Sequence, residues 1–192
     1  MADPSKPNNR IVNPFANYIT DIMTGYFMGE PIKYTSAEDD LINEILAIFN
    51  YNDEAAEDAT LAKDASIFGS AYEQIYIDGD GNIRFQKLDA IRAIPIYDDT
   101  IEADLLYFIR YYTDEDIITG DTTEYVEVFS RTYHQLYKRS VSSLRLVSEE
   151  LHNFGMVPIV VYKNNEECFG DFEPVMSLID AYDIIQSDSV ND

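Results

Sequence analysis

The sequence predicts an α+β fold: N-terminal helices packed on an antiparallel β region, with a C-terminal helix. Three patterns carry this. Apolar residues recur at the helical period through residues 14–69, and they alternate with polar ones between turn signals through 71–162. The helical period then returns over 171–187. At 192 residues the chain can build one sizeable core or two small ones, and it reads as a single domain.

The opening helix is the most strongly marked element. Asn13 offers an N-cap side chain, and Pro14 is pre-set for the first helical position. Phe15, Tyr18, Ile19, Ile22, Met23, Tyr26 and Phe27 then form one broad apolar stripe, with Gly25 inside it. Gly29 is expected to supply a left-handed C-cap, and Pro31 blocks continuation. Ile32-Lys33-Tyr34 alternates like a short strand. Ahead of the helix, residues 1–9 are polar, carry two prolines and read as a flexible lead-in.

Ser36 and Asp39 make a capping pattern before Leu41, Ile42, Ile45, Leu46 and Phe49, so a second helix runs to about Asn50. Asn50-Tyr51-Asn52-Asp53 reads as a turn. A third helix starts near Asp53 and carries Ala55, Ala56, Ala59 and Ala62, small residues that suit close packing. It should stop at Gly69.

Strands are expected at 71–77 and 82–88, flanking the hairpin signal Asp78-Gly79-Asp80-Gly81. Residues 91–97 form another, placed near an edge by Pro95. Strands at 105–112, 125–129, 133–138 and 144–150 complete an antiparallel meander, with 113–116 as a polar turn. Residues 157–162 read as a short buried strand. Asp171 is expected to cap the last helix, with Pro174 in its first turn. Val175, Leu178, Ile179, Tyr182, Ile184 and Ile185 form its apolar side.

Composition narrows the function. There are 36 acidic residues against 13 basic ones, a net charge of −23, which argues against a nonspecific nucleic-acid clamp and against an anionic membrane surface. An acidic wall past which DNA slides without sticking fits such a charge, and so does a plain solvated surface. Hydrophobic residues at 46%, with 15 Tyr and 10 Phe, mark a folded chain whose tyrosines suit half-buried surfaces and interfaces. A single Cys168 excludes an internal disulfide framework and fits a reducing compartment. No secretory leader pattern opens the chain and no apolar run approaches a bilayer span, so a soluble protein made in the cytosol is expected.

Candidate chemistry is sparse. Asp78-Gly79-Asp80-Gly81-Asn82 resembles the start of a calcium loop, but such a loop needs a bidentate Glu at position twelve, where Asp89 stands. A tight hairpin accounts for the same residues. His134 and His152 have no second His or Cys at ligand spacing, and Cys168 beside Phe169 has no base near it in sequence. Asp98-Asp99 and Glu166-Glu167 say little in so acidic a chain. Phosphate-binding and nucleophile-elbow motifs are missing, so no catalytic, cofactor or metal residue is assigned. Lys6 and Arg10 at the start, and Arg131, Lys138, Arg139 and Arg145 in the late strands, fit cross-strand pairing or a neighbour's acidic surface.

Longer stretches carry more. NNRIVNPFA, the apolar helix after it and GYFMGEPIKY are followed by FGSAYEQIYIDGDGNIRF, AIPIYDD and FGDFEPVMSLIDAYDIIQSDSVND. These stretches span nearly all of the chain, and they resemble tailed-phage portal proteins of the siphophage Gp6-like kind. The resemblance implies a non-enzymatic subunit of a ring at one capsid vertex, most often dodecameric in the virion. Double-stranded DNA would pass through that ring without sequence specificity during packaging and ejection. Its implied partners are further copies of itself, the terminase large subunit, and capsid, scaffolding and head-completion proteins; no membrane is implied. Portal chains are longer than this one. The resemblance therefore implies a truncated chain holding the outer, wing-like region and lacking the channel helices, tunnel loop and crown in whole or large part. From another class, an acidic protein-interaction module is the alternative, with a calcium-dependent form through Asp78, Asp80 and Asn82.

Overall fold

A computed structural model describes residues 9–37 and 39–191, with the side chain of Asp39 left out. The lead-in over 1–8, Lys6 and the Asp39 half of the capping pattern therefore lie outside the described residues. Three helices come first: α1 (Phe15–Phe27), α2 (Asp39–Asn52) and α3 (Glu54–Phe68). Eight strands follow: β1 (Ser70–Ile77), β2 (Ile83–Leu88), β3 (Ala93–Tyr97), β4 (Leu105–Glu115), β5 (Thr122–Phe129), β6 (Tyr133–Arg139), β7 (Leu144–Leu151) and β8 (Ile159–Lys163). A 3-10 turn over Glu173–Val175 leads into α4 (Met176–Asn191). The predicted α+β order stands.

The β region divides in two. Strands β2-β1-β8 make a small antiparallel sheet, and β3-β4-β5-β6-β7 make the expected meander. Tyr72, Leu88, Val157 and Ile159 of the first region meet Phe108 and Phe129 of the second in one buried cluster. The Phe108 ring lies 5.1 Å from Tyr72 and 6.4 Å from Phe129. Leu61 and Ala65 of α3 bury a smaller cluster against Ala71 of β1. As Pro95 indicated, β3 is an edge strand, where a missing N–H costs no ladder bond.

Several boundaries move, each for a local reason. The turn expected over 50–53 shrinks to Asp53 alone, which takes a left-handed conformation between α2 and α3. Residues 32–34 form no strand; Tyr34 packs its ring 4.9 Å from Phe49 instead. The polar run 113–116 is no turn up to Glu115, because Thr113, Asp114 and Glu115 pair with Glu124, Thr123 and Thr122 beyond the core. There both faces meet water, and polarity reports exposure rather than chain reversal. The reversal follows at Asp116, whose carboxylate accepts from the N–H groups of Ile118 and Thr119 at 2.8 and 3.1 Å.

Gly29 is not a left-handed cap. The helix ends on Met28, whose N–H reaches Thr24 O at 2.8 Å. Gly29 is needed because a Cβ there would lie 2.3 Å from the Gly25 carbonyl oxygen. Gly69, in contrast, ends α3 as expected with φ +77°. The loop over 164–171 closes on that end: Asn164 N–H donates to Gly69 O at 2.9 Å and Asp171 N–H to Ser66 O at 2.8 Å. Asp171 does not cap α4; its carboxylate accepts from Asn164 Nδ2 at 2.8 Å, and Glu173 accepts from Gly170 N–H at 3.1 Å. The last helix also runs beyond 187, to Asn191.

Candidate assembly surfaces

The apolar side of α1 faces outward. Thr20, 1% exposed, is the buried residue of the helix, with Ala16, Thr24 and Met28 half-buried on the same four-residue row. That row meets α3, as the Lys63–Asp21 ion pair at 3.0 Å also shows. Two rows of small side chains let the backbones approach, and the large residues are left outside: Tyr26 is 91% exposed and Phe27 75%. Helix α4 repeats this arrangement. Leu178, Tyr182, Ile184 and Ile185 are exposed, while Asp183, Gln186 and Ser187 face the chain ahead of α1.

That contact is a polar seam. Asn191 Oδ1 accepts from Asn9 N–H at 2.9 Å, Ser187 Oγ from Ile11 N–H at 2.9 Å, and Asp183 Oδ1 from Asn13 N–H at 3.1 Å. Asn13 Nδ2 adds bonds to Asp183 Oδ1 at 2.6 Å and Gln186 Oε1 at 3.0 Å. Asn13 therefore ties α1 to α4 rather than capping α1, which starts from Pro14 without a side-chain cap. Phe15 and Tyr182 meet edge to face at 5.6 Å, which makes the exposed sides of α1 and α4 continuous.

A groove of about 770 Å³ opens between α1, α3 and β8. Met23, Phe27, Ile32, Leu61 and Val161 give it apolar walls, and Asp58, Ser66 and Tyr162 line it with polar groups. Behind it is a carboxylate group joined by tyrosines. Tyr34 OH donates to Glu54, and Tyr162 OH donates to the buried Glu73 at 2.8 Å. Burial, the charge and close approach of the Glu54 carboxylate and the Glu57 charge push Asp58 up to about 6. Burial likewise raises Glu73, against the opposing hydrogen bond from Tyr162 and with help from Glu57, Asp58 and Glu54. Among the described residues no ion pair reaches Glu54, Asp58 or Glu73, since Lys87 turns to Asp64 at 2.7 Å.

On one face of the meander, aligned layers run outward from the core. Phe108, Phe129 and His134 share the first, with the His134 ring stacked 4.4 Å over Phe129. Arg110 and Glu127 pair in the next at 2.7 Å, and Tyr112 and Tyr125 stack beyond them at 5.5 Å. Burial pushes Glu127 up, yet His134 and the Arg110 guanidinium outweigh it and hold the carboxyl low. The edge strand β7 exposes Leu144, Leu146, Val147 and Leu151, and the β4–β5 tip exposes Ile117 and Ile118. A bare apolar edge of this kind is a ready pairing surface.

The sequence candidates do not gather into a centre. Asp78 Oδ1 accepts from the N–H groups of Asp80 and Asn82 at 3.0 and 2.9 Å, so the five-residue run is a hairpin turn with its carboxylate engaged inside it. His152 Nε2 meets Ser130 O at 2.9 Å, and Asp98 accepts from Thr100 and Asp104 within its own loop. Arg139 pairs cross-strand with Glu124 at 3.0 Å, and Arg131 donates to Gly155 O at 2.7 Å. Lys138 and Arg145 stand opposite one another in register. Cys168 lies at φ +57° in the loop that closes on α3. Sequence reasoning passed over Asp58, Glu73 and Tyr162, because a carboxylate carries little signal in a chain with 36 of them. Among the described residues, no group of three or more His, Cys, Asp or Glu side chains is placed to hold a metal ion. No helix among them is long and apolar enough to cross a membrane.

The chain is 28% identical to the portal protein of Bacillus phage SPP1, over all of this chain and 40% of that protein. It is 26% identical to the portal protein of Clostridium phage phiCD119, over 96% of this chain and 45% of that protein. The chain thus spans less than half the length of these relatives. The family described as "Phage portal protein, SPP1 Gp6-like" matches residues 1–192, and the chain belongs to it.

Proposed function

We propose that this chain is the outer, wing-like region of a portal subunit from a tailed phage or prophage. In this reading, copies of the complete subunit close into a ring, most often of twelve, at one capsid vertex. Double-stranded DNA passes through the ring during packaging and ejection, and the terminase large subunit and head-completion proteins dock on it. The role is structural; ATP hydrolysis belongs to the terminase. The virion is its place of action, reached by assembly in the host cytoplasm.

One observation supports this beyond family membership: large apolar side chains point outward on α1, α4 and the β7 edge. A closed head-to-tail ring needs two different complementary faces on each subunit, and separate apolar surfaces on helices and sheet could supply them. The net charge of −23 suits a wall near DNA that must not hold it. The test is the native mass of the product of the complete reading frame, with negative-stain imaging. A large closed ring supports the reading. A monomer at micromolar concentration, with no ring in the images, overturns it.

A further inference from the structure

We propose that the five-stranded sheet continues from copy to copy, the β7 edge of one subunit pairing antiparallel with the outer part of β4 in the next. Both edges are open among the described residues. Strand β7 pairs with β6 alone, and β3 covers β4 only as far as Arg110, which leaves 112–115 joined to β5 alone. The two openings stand at one level, because a single layer of the sheet runs from Tyr112 through Tyr125 and Lys138 to Arg145. They bound the same sheet on opposite sides and cannot meet within one chain. Strands β4 and β7 run in opposite directions, so copies set side by side in one orientation bring them together antiparallel. The inference rests on the ring reading above, which provides that side-by-side placement.

Charge selects the partner. Lys138 and Arg145 face one another in register, and neither makes an ion pair among the described residues. Like charges directly opposed on a sheet cost stability, and an anion brought beside them recovers it. The outer part of β4 offers that anion on the same face. Asp114 lies two residues beyond Tyr112, exposed, with Glu115 next to it, and neither has an ion pair among the described residues. One edge is therefore basic and the other acidic, in a chain where acidic residues outnumber basic ones by 36 to 13. Apolar side chains attend both: Leu144 and Leu146 flank Arg145, and Ile117 and Ile118 stand out at the β4–β5 tip. Two β7 edges brought together would leave the β4 edge uncovered.

The test is cross-linking in the product of the complete reading frame, carrying both Thr113→Cys and Leu144→Cys. The two positions are exposed and uncharged, and they share a layer through Glu124 and Arg139. Within one chain they stand three strand spacings apart, about 14 Å, beyond the reach of a short bismaleimide. Across the joined edges the reagent reaches, even with a shift of two residues in register. The double variant should give a ladder of dimer, trimer and higher multimers on a denaturing gel, and the parent and each single variant should not. Adding Lys138→Glu should lower the yield at half-assembly by about threefold, the value of an exposed ion pair. Dimers from Leu144→Cys alone, in equal yield, would mean that two β7 edges meet and would overturn the proposal. A ring in negative-stain images with no ladder would overturn it in favour of another part of the subunit covering β7, and the ring reading would survive. Neither ladder nor ring would overturn both, whereas a ladder without a closed ring would uphold the pairing alone. An unchanged yield in Lys138→Glu would overturn the charge match and with it the choice of partner.

Discussion

Thr20 shows how α1 chooses its inner side. Its methyl and hydroxyl are buried against α3, and the hydroxyl has no hydrogen-bond partner. A buried hydroxyl without a partner loses its bond to water and gains nothing in return. Thr20→Val keeps the shape and removes that loss, so it should stabilise the fold by about 1 kcal/mol. Chemical denaturation would measure this, and a loss of stability would show that the hydroxyl is satisfied in solution. The sequence marked this helix and its apolar stripe residue by residue. It could not say which side would be covered, because periodicity reports that a helix has two sides and not what lies against either. The deciding fact is the alanine-rich surface of α3, which accepts a row of Ala and Thr more closely than a row of Phe and Tyr. Asp58 was hidden for a related reason: only the fold shows which of many carboxylates shares its space with three others.

Among the elements, the segment before α1 and helix α4 fit by a match of periods. Extended chain advances about 6.6 Å over two residues, and a helix rises about 6.0 Å over four. Residues 9, 11 and 13 therefore fall beside 191, 187 and 183, each backbone N–H meeting a side-chain oxygen. Asn13→Ala removes two side-chain bonds from the α1 end of this arrangement and should cost about 1 kcal/mol. Hydrogen exchange at the amides of Asn9, Ile11 and Asn13 is the sharper readout. It should accelerate there while the amides of β4 and β5 stay unchanged; uniform acceleration would contradict a local role. Strand and helix positions were largely legible, since alternation and turn residues are local signals. The separation of β1, β2 and β8 into their own sheet was not. It depends on β8 returning to β1, and nothing local to either strand encodes that pairing.

For the molecule as a whole, charge sets the response to pH. Asp58 near 6 in the fold lies above the roughly 3.9 of an unfolded aspartate, and Glu73 is shifted the same way. Between those values the native state holds protons that the unfolded chain has released, so stability rises as pH falls from 7 through 6. Glu127, Asp78, Asp98 and Asp116 are held low in the fold, and their contribution is lost as pH falls below about 4. Stability should therefore peak on the acidic side of neutrality, as reduction of the −23 charge also favours. A thermal melting series from pH 4 to 8 would show this. Asp58→Asn should raise Tm at pH 7.5 and leave it unchanged at pH 5; an equal gain at both values would mean that charge on Asp58 is not the cause.

The polar seam also fixes an order of events in folding. Its hydrogen bonds join residues as far as 182 positions apart, so closing it first would restrict almost the entire chain for a few polar contacts. Contacts that distant repay their entropy only once the sheets and α3 already hold the two segments near each other. The seam is thus the last part of the chain to form and the first to fray.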